Sequence, residues 1–136
     1  MQNNFDIQLK SPSSFRGAFC LFLLFVGLAS IAQPQLKFKD IKKNFGFVKK
    51  GELVVMEYEF TNNGSQPLII TEAKVECSCT TVEFPKQPIA PGQSEKVVVK
   101  FDTKTVYDRQ DRTVEVISNA QNSSLKIRFK GVVLNK

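Results

Sequence analysis

Residues Glu52–Thr61 read ELVVMEYEFT. On an extended chain Val54, Met56, Tyr58 and Phe60 share one face, and Glu57, Glu59 and Thr61 share the other. One oily face and one wet face at period two is what a sheet covered on a single side requires. The alternation returns in Lys96–Asp102, KVVVKFD, which aligns Val97, Val99 and Phe101. It returns in Ser124–Lys130, SLKIRFK, which aligns Leu125, Ile127 and Phe129. Arg112–Ser118, RTVEVIS, is a fainter copy that still puts Val114 and Val116 together. β-branched and aromatic residues, the types that fill a pleated surface well, concentrate in the same runs.

Between the runs lie turn residues. Asn62-Asn63-Gly64-Ser65 is expected to close a hairpin, with Asn-Gly supplying positive φ. Pro88–Gln93, PIAPGQ, reads as a turn, as do Gly51 and Asn119–Asn122. Tyr107–Arg112, YDRQDR, reads as a charged connection. The runs predict seven to eight short strands, near residues 36–39, 44–48, 52–61, 68–75, 80–84, 95–102, 112–118 and 124–133. Even spacing with turns between them predicts an all-β, immunoglobulin-like antiparallel β-sandwich.

The first 32 residues of the chain have a different character. Met1–Arg16 is polar and carries Lys10 and Arg16, and Gly17–Ile31, GAFCLFLLFVGLASI, has no charge. Ser30 and Ala32 place small residues at the −3 and −1 positions of a cut after Ala32. This is the pattern of a secretory signal peptide over residues 1–32, followed by a mature domain over residues 33–136. An uncleaved anchor is the rival reading, but a bilayer core needs roughly 20 apolar residues and the uncharged run is shorter. Cys20 sits near the start of that run behind Phe19, so it reads as an ordinary apolar residue of the leader and not as a lipidated cysteine. The expected location is therefore exported, in the periplasm or outside the cell, with no stable membrane span in the mature chain.

Composition narrows the chemistry. The chain has 136 residues, 19 Lys+Arg against 13 Asp+Glu, a net charge of +6 and no His. Losing Lys10, Arg16 and Asp6 with the leader removes one unit of that charge. Without His there is no Ser–His or Cys–His nucleophile and no imidazole metal ligand. No base, nucleophile and orienting group come together in the sequence, so the expected role is not enzymatic. An exported chain without an aromatic-basic recognition motif is not expected to bind nucleic acid. Lys37, Lys39, Lys42, Lys43, Lys49 and Lys50 form a basic stretch, read as a solvated edge guarded against strand addition by its lysines. Asp102, Asp108, Asp111 and Glu115 match no calcium loop and read as polar surface.

One constellation carries chemistry, Cys77-Ser78-Cys79. On a flat strand residues i and i+2 lie about 6.5–7 Å apart, too far for a disulfide, whereas a bulge or turn brings them within reach. Three readings stand side by side. The thiols pack as small hydrophobes or form a structural bond. Alternatively, Cys77 and Cys79 form a labile, redox-active disulfide. In the third reading they hold Cu(I), since two soft thiolates suit that ion in near-linear geometry. No other cofactor is suggested.

Eight segments run in order: Phe45–Glu52, FGFVKKGE; Tyr58–Gly64, YEFTNNG; Pro67–Ile70, PLII; Cys77–Thr80, CSCT; Pro85–Gln93, PKQPIAPGQ; Val99–Thr103, VKFDT; Ser118–Ala120, SNA; and Ile127–Gly131, IRFKG. Together they resemble the DUF1573 domain family. The CxCT step followed by PIAPG is the most specific part. The family usually has Gly between the two cysteines, where this chain has Ser78. The resemblance implies an immunoglobulin-like sandwich similar to ASH and PapD-like domains, in exported proteins common among Bacteroidetes. It also implies a binding or structural module of the envelope, with an envelope protein as partner. It transfers no catalytic residue.

Overall fold

Side chains that alternate between oil and water need a second sheet to cover their oily face. The computed structural model of the protein describes residues 32–135. Apart from Ala32, the expected leader lies outside the described residues. Eight strands follow in order: β1 (Leu36–Phe38), β2 (Lys42–Lys49), β3 (Leu53–Asn62), β4 (Ile70–Val75), β5 (Thr80–Glu83), β6 (Ser94–Asp102), β7 (Asp108–Ser118) and β8 (Ser124–Leu134). They build two four-stranded sheets, β1-β3-β6-β5 and β2-β8-β7-β4. Tyr58, Phe60, Val97, Val99 and Phe101 enter the core from the first sheet, and Val114, Val116, Ile127 and Phe129 from the second, all with no exposed surface. Leu68 and Ile89 close the core at one end through an isolated bridge.

Pairing is antiparallel with one exception. β1 runs antiparallel to β3, and the chain then crosses at Lys39–Ile41 to the second sheet and runs as β2 parallel to β8. A strand that changes sheets without reversing meets oppositely directed neighbours, and hydrophobic alternation cannot reveal that.

The hairpin expected at Asn62–Ser65 is not formed. β3 and β4 belong to different sheets, so this turn carries the chain across the sandwich. Gly64 is not among the glycines with positive φ, which are Gly46, Gly51 and Gly92 among the described residues. It is needed for room, because a Cβ there would collide with the backbone of Gln33, Pro34 and Gln35. The connection expected at Tyr107–Arg112 is also corrected. From Asp108 onward it is strand, paired with β8 through Asp108↔Val133 and Arg112↔Phe129.

Tyr58 links the sheets. Its hydroxyl donates to the Arg128 carbonyl at 3.0 Å, and burial pushes its phenol pKa well up. A phenol raised in the folded state favours folding below its unfolded pKa of about 10, and that contribution is lost as pH climbs above it. The Tyr58 phenolate absorbance is therefore expected only together with alkaline unfolding. A Tyr58 signal that rises while circular dichroism still reports folded sheet would contradict this assignment.

Candidate functional site

β1 covers only one end of its neighbour, pairing Leu36 with Asn62, Lys37 with Thr61 and Phe38 with Phe60. The last contact is Lys39 N donating to Glu59 O at 2.9 Å. In an antiparallel ladder successive residues direct their N–H and C=O to opposite sides. The even residues of β3 face β6, as seen where Thr103 N donates to Glu52 O and Gly92 N donates to Asn62 O. The odd residues face the β1 side. Beyond Glu59 no described strand pairs on that side, so the N–H and C=O groups of Leu53, Val55 and Glu57 have no backbone partner among the described residues.

The open edge borders a groove of about 1040 Å³ between β3 and β2. Lys42, Lys43, Asn44 and Phe45 form its far wall, and Val54–Glu57 its near wall. The Lys43 ammonium lies 5.6 Å from the centroid of the Tyr58 ring. Two ion pairs flank the opening, Lys39–Glu59 at 3.3 Å and Lys96–Glu57 at 2.8 Å. On the outer face of β3, Leu53 and Val55 are 59% and 53% exposed, apolar side chains in positions where a wet face calls for polar ones. Unpaired backbone groups beside exposed apolar side chains form a template for an added strand. The sequence held a faint signal of this, two apolar residues on the polar face of ELVVMEYEFT.

Cys77 and Cys79 occupy the turn between β4 and β5, the edge strands of the two sheets on the opposite side. Thr80 N donates to Cys77 O at 3.1 Å, which folds the segment back. The Cα atoms lie 5.1 Å apart and the two sulfurs are bonded to each other. The turn supplies the proximity that a flat strand denies. The bonded sulfurs offer no thiolate to a metal, so copper would require the reduced pair. Both cysteines are half-buried, and Ser78 between them is exposed. Closing so short a loop contributes only about 1.5 kcal/mol through chain entropy. Replacing Cys77 and Cys79 together by Ser is thus expected to lower stability by no more than about 1.5 kcal/mol in urea unfolding. A loss of about 3 kcal/mol or more would mark the bond as a structural staple.

The acidic residues singled out by sequence do not converge. The Asp102 carboxylate lies 3.7 Å from Lys104. Asp111 pairs with Arg128, whose hydrogen bond and charge hold the Asp111 carboxyl below the usual carboxylate range. Among the described residues no three His, Cys, Asp or Glu side chains gather as a metal site.

Solved structures share this architecture at low identity. A protein of unknown function from Porphyromonas gingivalis W83 is 18% identical with a TM-score of 0.67, matching 79% of this chain and 50% of its own. This chain thus spans half the length of that protein. The ASH/PapD-like domain 7 of human CEP192 is 10% identical with a TM-score of 0.60, over 76% of this chain and 88% of that one. The E. coli chaperone DraB is 11% identical with a TM-score of 0.51, over 75% of this chain and 56% of that one. None of the curated proteins matches the sequence. Residues 36–133 match DUF1573, a family described as a protein of unknown function. The eight-stranded sandwich, its CxC turn and its half-open β3 edge are therefore those of a member of the DUF1573 family.

Proposed function

We propose that this chain is an exported, non-enzymatic binding module of the cell envelope that takes up an extended segment of a protein partner along the open edge of β3. The carrying observation is the run of unpaired backbone groups at Leu53, Val55 and Glu57 beside a groove of about 1040 Å³. An added strand gains main-chain hydrogen bonds there, and Leu53 and Val55 favour apolar residues at its outward positions. Architectural likeness to a chaperone agrees with protein binding.

Val55→Pro tests the reading. The Val55 N–H faces the open side, so proline removes a donor the fold does not use, and edge positions tolerate it. The variant is expected to stay folded and to lose partner capture from a native envelope extract. In the isolated protein the amides of Leu53, Val55 and Glu57 are expected to exchange quickly with solvent, and to become protected once a captured partner is bound. Undiminished capture by a folded Val55→Pro protein would end this proposal.

A second reading rests on the closed bond in an accessible turn. Cys77–Cys79 accepts two electrons and two protons from a partner dithiol, which itself closes to a disulfide. Thiol counting after equilibration with a dithiol of known potential measures this directly, and a bond that resists every such dithiol removes the exchange role.

A further inference from the structure

The outer faces of the two sheets carry charge very differently. On the first sheet each outward carboxylate has a lysine beside it: Glu59 with Lys39, Glu57 with Lys96, Glu83 with Lys100 and Asp102 with Lys104. That face is close to neutral. On the second sheet register places Lys42 and Lys49 of β2, Lys126, Arg128 and Lys130 of β8, and Arg109 of β7 on the outer side, all exposed. Asp111 and Glu115 answer them from the same three strands, and at the β4 edge Glu72 and Glu76 stand beside Lys74, with Glu76 accepting from Thr113 N at 3.3 Å. Arg128 is paired with Asp111, and the other five cations make no ion pair among the described residues. The basic stretch seen in the sequence is thus divided by the fold. Lys37 and Lys39 stay with the neutral sheet, while Lys42 and Lys49 join cations that lie far away along the chain.

The same face has an apolar tip. Phe47 pairs in register with Val132, and Lys49 with Leu134, at one end of β2 and β8. Phe47 is 75% exposed and Leu134 42%. Tyr107 stands at this end, 63% exposed, with the Lys50 ammonium 5.8 Å from its ring centroid. Lys50 N donates to Leu134 O at 3.0 Å, and Arg109 lies opposite Val132. Two aromatic rings and an aliphatic side chain are therefore ringed by Lys49, Lys50 and Arg109.

We propose that the outer face of the β2-β8-β7 sheet docks on an anionic lipid surface, with Phe47, Tyr107 and Leu134 entering the headgroup region. Aromatic rings settle at the depth of lipid headgroups, and lysines near an anionic surface each add attraction. A cationic face with exposed aromatic rings at one end suits an anionic bilayer, which offers the cations charge and the rings an apolar layer, whereas a soluble acidic polymer offers only the charge. The open β3 edge belongs to the other sheet, and of the groove wall only Lys42 and Asn44 of β2 also lie on the docking face.

The test is cosedimentation of the full chain with vesicles of phosphatidylcholine alone or mixed with phosphatidylglycerol. Parent and variants are compared in the same chain, so any contribution of residues 1–31 is common to both. Partition into anionic vesicles is expected to exceed partition into neutral ones by about tenfold or more at about 50 mM salt, and to fall toward the neutral value at about 500 mM. Lys126→Glu with Lys130→Glu is expected to lower anionic-vesicle binding by about tenfold or more. Lys42→Glu with Lys49→Glu serves as an independent second pair should the first melt early. Phe47→Ser is expected to weaken binding about tenfold while keeping its salt dependence. Equal binding to both vesicles, charge-reversed variants that bind like the parent, or salt-sensitive binding to a soluble acidic polysaccharide without vesicle binding would each overturn the proposal.

Discussion

Replacing Asn62 by Leu is expected to cost about 4 kcal/mol of stability, a large share of what a small domain has. The side chain has no exposed surface. Its Oδ1 accepts from Gln35 N at 3.3 Å and Gly64 N at 3.0 Å, and its Nδ2 donates to Gln66 O at 2.7 Å and Ile89 O at 3.0 Å. One amide thus ties together the segment before β1, the turn after β3 and the loop before β6. Leucine fits the volume and satisfies none of these partners, and each buried polar group left unpaired costs about 1–3 kcal/mol. Asn62→Asp retains the acceptor but sets a carboxylate against two carbonyls, so it too is expected to be severely destabilised. In thermal melts the Leu variant is expected to fall by roughly 20 °C. A loss under about 1 kcal/mol would mean that water replaces the amide without penalty.

Asn62 also shows where sequence reading reached and where it stopped. Its run, ELVVMEYEFT followed by Asn62-Asn63-Gly64, is legible as a strand and a turn because inward residues are apolar and outward ones mostly polar. The role of the turn is not legible, since a hairpin and a crossing between sheets use the same residue types. Apolar alternation marks β7 only from Arg112 onward because its inward residues Gln110 and Arg112 are polar. Gln110 is buried there, with its Nε2 donating to Tyr107 O at 2.8 Å and its Oε1 accepting from Arg112 at 3.1 Å. Periodicity counts apolar side chains, so a polar pair facing inward hides a strand. The β3 edge is open because β1 leaves for the other sheet after three residues. That departure is a property of pairing, which no single run displays. The cationic face is hidden for the same reason, because its charges come from three strands brought side by side only by register.

Gly131→Val is expected to cost about 3 kcal/mol, and the reason lies in another strand. Gly131 sits in β8 with ordinary φ, so no backbone conformation demands glycine there. Register slips between Asn44 and Gly46, leaving Phe45 as the extra residue of β2. Its ring lies directly over Gly131, where any Cβ would occupy the same space. From there it reaches Phe101 at 5.8 Å and Phe129 at 6.4 Å between centroids, and those two rings stand 5.2 Å apart. Bulge, glycine and aromatic cluster form one device that seals the core beneath the groove. Valine evicts the ring, exposing Phe45 and loosening its neighbours. Phe45→Ala alone is expected to cost about 3 kcal/mol by leaving a cavity. The two changes share one cause, so together they are expected to cost clearly less than their sum, with valine filling part of the space the ring gave up. Urea unfolding of the four proteins in this cycle measures the coupling. Additive losses would show that the ring does not rest on the glycine, and a favourable coupling of about 1 kcal/mol or more would place it there.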